Sequence, residues 1–234
     1  MELTIAKCPD QKMALTNCVY LSPSDLERLG GSAEEVYLEI KGFVFTARAT
    51  REVESNTIGV NSIHRRMLGS NGDPVTVSVF SPGASESVGL AAATIECDYL
   101  QKVKARGDEK VDGEELVRSI VSRLSSQFLT VRQHIAMDYR GDNLLLTVTS
   151  LEAAGGEPGA SMRGILVSSS EVLPQKAPGS LMVISGLASA SAAKTNIFRA
   201  EFNFEKMGAR RPLHARPVAI AAHAAPAPAR GGGP

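Results

Sequence analysis

The first eighty residues are cut into short alternating segments. In VYLEI, Val36, Leu38 and Ile40 share one face, and in VTVSVF, Val75, Val77 and Val79 do the same. A period of two with a single apolar face marks a half-buried strand. FVFTAR (Phe43 to Arg48) and GLAAATIECDYL (Gly89 to Leu100) lie around them, punctuated by Ser-Pro-Ser-Asp, Gly30-Gly31, Asn71-Gly72-Asp73-Pro74 and Ser81-Pro82-Gly83. Many short strands with turn chemistry between them predict a small β-barrel.

Beyond Leu100 the texture changes. A charged stretch, QKVKARGDEK, leads into VDGEELVRSIVSRLSSQF, where Leu116, Val117, Ile120, Val121 and Leu124 recur at helical spacing. Asp112 followed by Glu115 fits an N-cap with its capping partner. NLLLTVT, RGILVSS and SLMVIS are three further strand candidates, and the glycine-rich AAGGEPGA separates the first from the others. The second half therefore reads as α+β. With 234 residues, 43% apolar and 21% charged, two compact halves can each bury a core.

The 25 basic and 25 acidic residues cancel. Whole-molecule charge thus gives no reason to expect nucleic acid or an anionic membrane, and any charge-driven binding is local. The sequence has no apolar run of about 18 residues, and MELTIAKCPD lacks the basic-then-apolar pattern of a secretory signal, so the cytosol is expected. Cys8, Cys18 and Cys97 are odd in number and form no CxxC pair. They predict buried, reduced thiols rather than a disulfide framework or a zinc site.

Catalytic signatures fail on inspection. GLASASAAKT places Lys194 eight residues after Gly186 and behind Ala193, which does not encode the tight turn of a phosphate-binding loop. His64, His134, His214 and His223 belong to no HExxH, GxSxG or Cys/His pattern. The chain is expected not to be an enzyme, and to hold no metal and no cofactor of its own. Two basic clusters remain: His64-Arg65-Arg66, in a loop of the first half, and Lys102, Lys104 and Arg106, where the halves meet. Such runs are ordinarily solvated surface. If the halves pack together, both clusters flank one groove suited to an acidic protein partner.

AKCPDQKMALTNCVYLSPSD, FVFTAR, TIECDYLQK and FNFEKMG, in that order and spacing, resemble the N-terminal domain of the N-ethylmaleimide-sensitive fusion protein family over roughly residues 3 to 208. That family comprises hexameric ATPases that disassemble SNARE complexes. The resemblance implies a double-psi β-barrel (1–83) followed by an α/β roll (84–196). It also implies a non-catalytic role, in which basic residues around the inter-subdomain groove engage the acidic end of the soluble attachment protein, the adaptor on SNARE complexes. ATP and Mg belong to the ATPase modules of the full-length family. Lys7 stands at a basic family position, and Arg65 and Arg66 stand at an adjacent Arg-Lys pair. Lys102 matches the first of two consecutive family lysines; Val103 replaces the second, and the next cation is Lys104. The implied localisation is cytoplasmic, with recruitment to vesicle and Golgi membranes through the adaptor. The isolated chain is expected to be a monomer, with hexamers only where ATPase modules are present.

In IFRAEFNF, Phe198, Ala200, Phe202 and Phe204 alternate with polar residues, the pattern of a strand. The resemblance implies instead an extended exit linker (197–208), docked by its phenylalanines. The resemblance stops at Gly208. Residues 209–234 hold five prolines and no acidic residue, a composition expected to be disordered. A tail rich in Ala, Pro, Arg and Gly is what a shifted frame or retained intron in a GC-rich gene gives; a genuine short protein with a flexible tail is the alternative. Two other functional readings stand beside the first: a ubiquitin-cofactor-binding domain of the valosin-containing protein type, and a small double-psi barrel enzyme.

Overall fold

The computed structural model describes residues 1–30, 35–82, 89–101, 110–154 and 160–186, all within one unit, Met1–Ala188. Six strands, β1 (Glu2–Lys7), β2 (Cys18–Leu21), β3 (Glu35–Ile40), β4 (Phe43–Ala49), β5 (Thr57–Val60) and β6 (Pro74–Val79), close into a barrel in the order β1-β5-β2-β4-β3-β6. Two pairings, β1 with β5 and β2 with β4, are parallel, and the other four are antiparallel. Closure removes the exposed edges that strands of this length would otherwise present.

The expected alternation fills the barrel: Leu38, Ile40, Val75 and Val77 are buried with Leu3, Ile5, Leu21, Phe45 and Ile58 in one core. Val79 departs from it, 43% exposed, because it lies at the end of β6, where the strand leaves the barrel. The β3–β4 hairpin turns on Lys41 and Gly42, at φ 50° and 83°. Two consecutive left-handed residues give the twist that matches a two-residue hairpin.

Two helices interrupt the barrel strands, α1 (Pro23–Gly30) and α2 (Ser62–Leu68), and a 3-10 turn spans Met13–Leu15. The expectation that His64-Arg65-Arg66 lies in a loop is corrected by α2. Asn61 caps this helix, its Oδ1 accepting from the His64 N–H at 2.7 Å, which satisfies a donor that a helix start leaves open.

The second half is built from β7 (Leu90–Tyr99), β8 (Lys110–Asp112), α3 (Gly113–Leu124), β9 (Phe128–Thr130), β10 (His134–Tyr139), β11 (Asp142–Ala153), β12 (Ala160–Ser161), β13 (Arg163–Ile165), β14 (Glu171–Lys176) and β15 (Val183–Ser185). The main sheet runs β10-β11-β7-β14, with β12 on β11; β13 pairs with β9 and β15 with β8. The helix predicted from Leu116, Ile120 and Leu124 is α3, and those three residues are buried with Ile95, Cys97, Leu144 and Leu146 in a second core. Pro174 sits in β14, at the sheet's edge, where its missing N–H breaks no interior ladder.

Asp112 caps α3, its Oδ1 accepting from the Glu115 N–H at 3.0 Å. The reciprocal half of the expected capping box is not made, because the Glu115 carboxylate pairs with the Arg140 guanidinium instead. Replacing Asp112 with Ala is expected to cost about 1 kcal/mol in urea denaturation. A midpoint unchanged within error would mean that the cap is idle. Cys8, Cys18 and Cys97 are all buried. IFRAEFNF, the 209–234 tail and all of GLASASAAKT except Gly186 lie outside the described residues.

Candidate functional site

Barrel and second half meet through buried polar side chains. Asn17 is 1% exposed and holds φ 58°. Its Nδ2 donates to Gln127 Oε1 at 3.2 Å, and its Oδ1 accepts from Gln133 Nε2 and from His64 Nε2, each at 3.2 Å. Gln127 Nε2 donates in turn to the Thr16 and Arg123 carbonyls, and Gln133 Oε1 accepts from the Thr130 N–H. Since an amide oxygen cannot donate, His64 carries its proton on Nε2, and among the described residues Nδ1 has no partner. Burial drives the His64 pKa down to about 3, so the ring is neutral. His64 is therefore no part of a basic surface, a second correction to the cluster read from sequence.

A second set of contacts holds the seam on another side. Tyr37 and Phe80 pack edge-on against Phe128, at 4.7 and 5.1 Å between centroids. The Arg163 guanidinium lies over Phe80 at 4.7 Å and pairs with Glu39 at 3.1 Å. The two halves are thus fixed to one another by hydrogen bonds and edge-to-face rings together.

Above this junction α2 carries the basic residues. Arg65, half-buried, donates from NH1 to the Val60 carbonyl at 3.2 Å. It lines a cavity of about 310 Å³ with Lys7, Cys8, Pro9, Asp10, Gln11, Ala14, Asn61 and Ser62. Lys7 and Arg65, 58 positions apart in sequence, therefore share one cavity, formed by the end of β1, the following turn and the start of α2. Every residue lining it comes from the first 65. Asn61 Nδ2 donates to the Ala14 carbonyl at 2.8 Å, tying α2 to the 3-10 turn. Burial raises the Cys8 thiol above its ordinary pKa, more than its hydrogen bond to the Asp10 carbonyl lowers it. The thiol is thus a protonated wall rather than a nucleophile.

Arg66 is exposed, and its charge acts on the second half: together with burial, the larger cause, it lowers the pKa of His134 on β10. The structure thus places Arg65 with Lys7, and Arg66 on the helix whose Met67 Sδ accepts from the His134 N–H. Lys102 and Lys104, with Arg106, lie outside the described residues. The arrangement can take carboxylate or phosphate oxygens through charge-assisted hydrogen bonds. Among the described residues no three His, Cys, Asp or Glu side chains gather as metal ligands, and no helix is long and apolar enough to cross a membrane. Sequence reasoning missed Asn17, Gln127, Gln133 and His134, whose only signal is proximity in the fold.

The chain is mostly β, built on a closed six-stranded barrel, with Arg65 and Arg66 on its second helix. No family model matches the chain. It is similar to the vesicle-fusing ATPase of Arabidopsis thaliana, 30% identical over 213 residues, covering 89% of this chain and 28% of the relative. It is also similar to the vesicular-fusion protein sec18 of Schizosaccharomyces pombe, at 26% over 87% of the chain and 26% of the relative. The vesicular-fusion protein SEC18 of Saccharomyces cerevisiae follows at 24% over 88% of the chain and 28% of the relative. The resemblance read in the sequence is borne out: the chain is a homologue of the vesicle-fusing ATPases. It spans little more than a quarter of the length of these relatives.

Proposed function

We propose that the chain is the adaptor-binding domain of a vesicle-fusing ATPase, non-catalytic itself. In this reading it captures the soluble attachment protein on SNARE complexes through Lys7, Arg65 and Arg66, with Lys102 and Lys104 as further contacts. The observation that carries the reading is similarity to vesicle-fusion proteins along nearly nine-tenths of the chain. The convergence of Lys7 and Arg65 on one cavity supports it. ATP and Mg chemistry falls to other parts of the longer relatives. The chain works in the cytoplasm and reaches vesicle membranes through its adaptor.

The finer fold belongs to the same reading. The parallel pairs β1–β5 and β2–β4 within a closed barrel support a double-psi connectivity, and α3 packed on the β10-β11-β7-β14 sheet supports an α/β roll. The valosin-type alternative is not favoured, since all three named relatives are vesicle-fusion proteins.

The test is direct. Purified full-length chain is expected to retain attachment protein in a pull-down, to leave ubiquitin-system cofactors in the flow-through and to hydrolyse no ATP. A column that passes attachment protein and retains a ubiquitin-system cofactor would overturn the reading.

A further inference from the structure

On the seam side of α2 the fold sets His134 against Met67, the residue that follows the basic pair. His134 opens β10, the edge strand of the second-half sheet, and its N–H donates to Met67 Sδ of α2 at 3.3 Å. Its Nδ1 is hydrogen-bonded to Thr147 Oγ1 at 3.1 Å, and Nε2 makes no hydrogen bond among the described residues. The ring is partly exposed. With Nδ1 held by a hydroxyl that can accept, a proton taken up by this ring leaves Nε2–H as an unspent donor.

On its own segment the nearest charged residues are Arg132 and Asp138, the latter paired with Arg123. From α2, Arg66 repels a proton on His134, while Arg65 lines the cavity and His64 is buried and neutral. The 3-10 turn Met13–Leu15, also packed on β10, has no ionisable side chain, and Lys12 stands at its start. Across the sheet the row runs His134, Thr147, Glu96, so the nearest acid in register is two strands away, behind Thr147. Without a partner, Arg66 and His134 therefore disfavour a second positive charge at this spot. An acidic group seated against Arg66 removes that repulsion and supplies the missing counter-charge.

We propose that His134 is a partner-binding residue: with Arg66 it forms a second anion contact, across the seam from the Lys7–Arg65 cavity, and an acidic protein surface seated there draws a proton onto the imidazole. The inference rests on the adaptor-binding reading and adds to it a contact from the second half and a proton linkage. Because proton uptake and binding favour each other, affinity rises as pH falls through the histidine range, while the carboxylates of the partner, with ordinary pKa values near 4, stay ionised.

The full 234-residue chain, its His134→Gln variant and its Arg65→Glu/Arg66→Glu variant are titrated with purified attachment protein and with a glutamate-rich peptide at about pH 7.5 and about pH 5.5. The wild type is expected to bind roughly fivefold tighter at the lower pH, a little under one pKa unit of linkage. His134→Gln is expected to lose that gain, with no rise in affinity between the two pH values and weaker binding than the wild type at the lower one. In parallel, the His134 ring protons followed by NMR are expected to titrate at higher pH once the peptide is saturating. Binding that depends on Arg65 and Arg66 but ignores pH, with an unmoved His134 titration, overturns this inference and leaves the adaptor reading standing. No binding by any form at either pH overturns both.

Discussion

The Arg65→Glu/Arg66→Glu double variant is expected to lose attachment-protein binding by about 100-fold or more while remaining folded. Two reversals turn a local excess of two positive charges into two negative ones. The Lys7 ammonium that shares the cavity with Arg65 would then face an acidic neighbour instead of an incoming carboxylate. Removing one member of a close interfacial charge pair costs about 2–5 kcal/mol, and reversal adds repulsion to that loss. The fold should tolerate the change. Arg66 is exposed, and Arg65 contributes one hydrogen bond, to the Val60 carbonyl. Both arginines lie in the last turn of α2, so the unfavourable contact of each new carboxylate with the helix dipole is about 0.3–1 kcal/mol. Surface plasmon resonance with matched circular dichroism checks both halves of the expectation. Binding within about threefold of wild type, with the spectrum intact, would remove α2 from the interface. Raising salt should weaken the wild type steeply and the variant little, since only the former relies on exposed opposite charges.

The barrel was legible because its signal is local. Val36, Leu38 and Ile40 alternate within five residues, and the structure buries Leu38 and Ile40 completely. The α3 stripe was legible for the same reason. What escaped was short, or depended on distant partners. Seven residues give α2 fewer than two turns, too few for a helical period to stand out, so its basic tripeptide read as a loop. Its middle holds both extremes, His64 fully buried and Arg66 exposed, a difference that composition cannot express. The HIAMDY segment of β10 buries Ile135, Ala136 and Met137 in succession, which erases the alternation expected of a strand. EVLPQK carries a proline inside its run, which argues against a strand in general and is tolerated in β14 because that strand is an edge. Of the site residues, Lys7 came from the resemblance alone, whereas Arg65 and Arg66 stood out first as part of a basic run. Asn17 could not have been found at all: its partners Gln127 and Gln133 lie 110 and 116 positions away.

Asn17 is where the largest loss of stability is expected. Asn17→Ala removes the acceptor shared by His64 Nε2 and Gln133 Nε2 and the donor to Gln127 Oε1, all at the buried junction. Each buried polar atom left unpaired costs about 1–3 kcal/mol, and a left-handed φ held by Ala instead of Asn adds about 1 kcal/mol. Water entering the vacated space offsets part of this, which leaves about 4 kcal/mol in urea denaturation near neutral pH. The same junction should yield to acid. A folded-state pKa of about 3 for His64, against 6.5 unfolded, means that the unfolded chain binds the proton first. Stability from the neutral ring is complete above pH 6.5 and is lost as pH falls from there toward 3, amounting to about 2 kcal/mol by pH 5. Wild type should therefore show a lower urea midpoint at pH 5 than at pH 7.5, and His64→Gln, which keeps a donor and carries no charge, a smaller drop between the two. An Asn17→Ala protein within about 1 kcal/mol of wild type would mean that the edge-to-face rings of Tyr37, Phe80 and Phe128, with Arg163 over them, hold the halves together without the amide network.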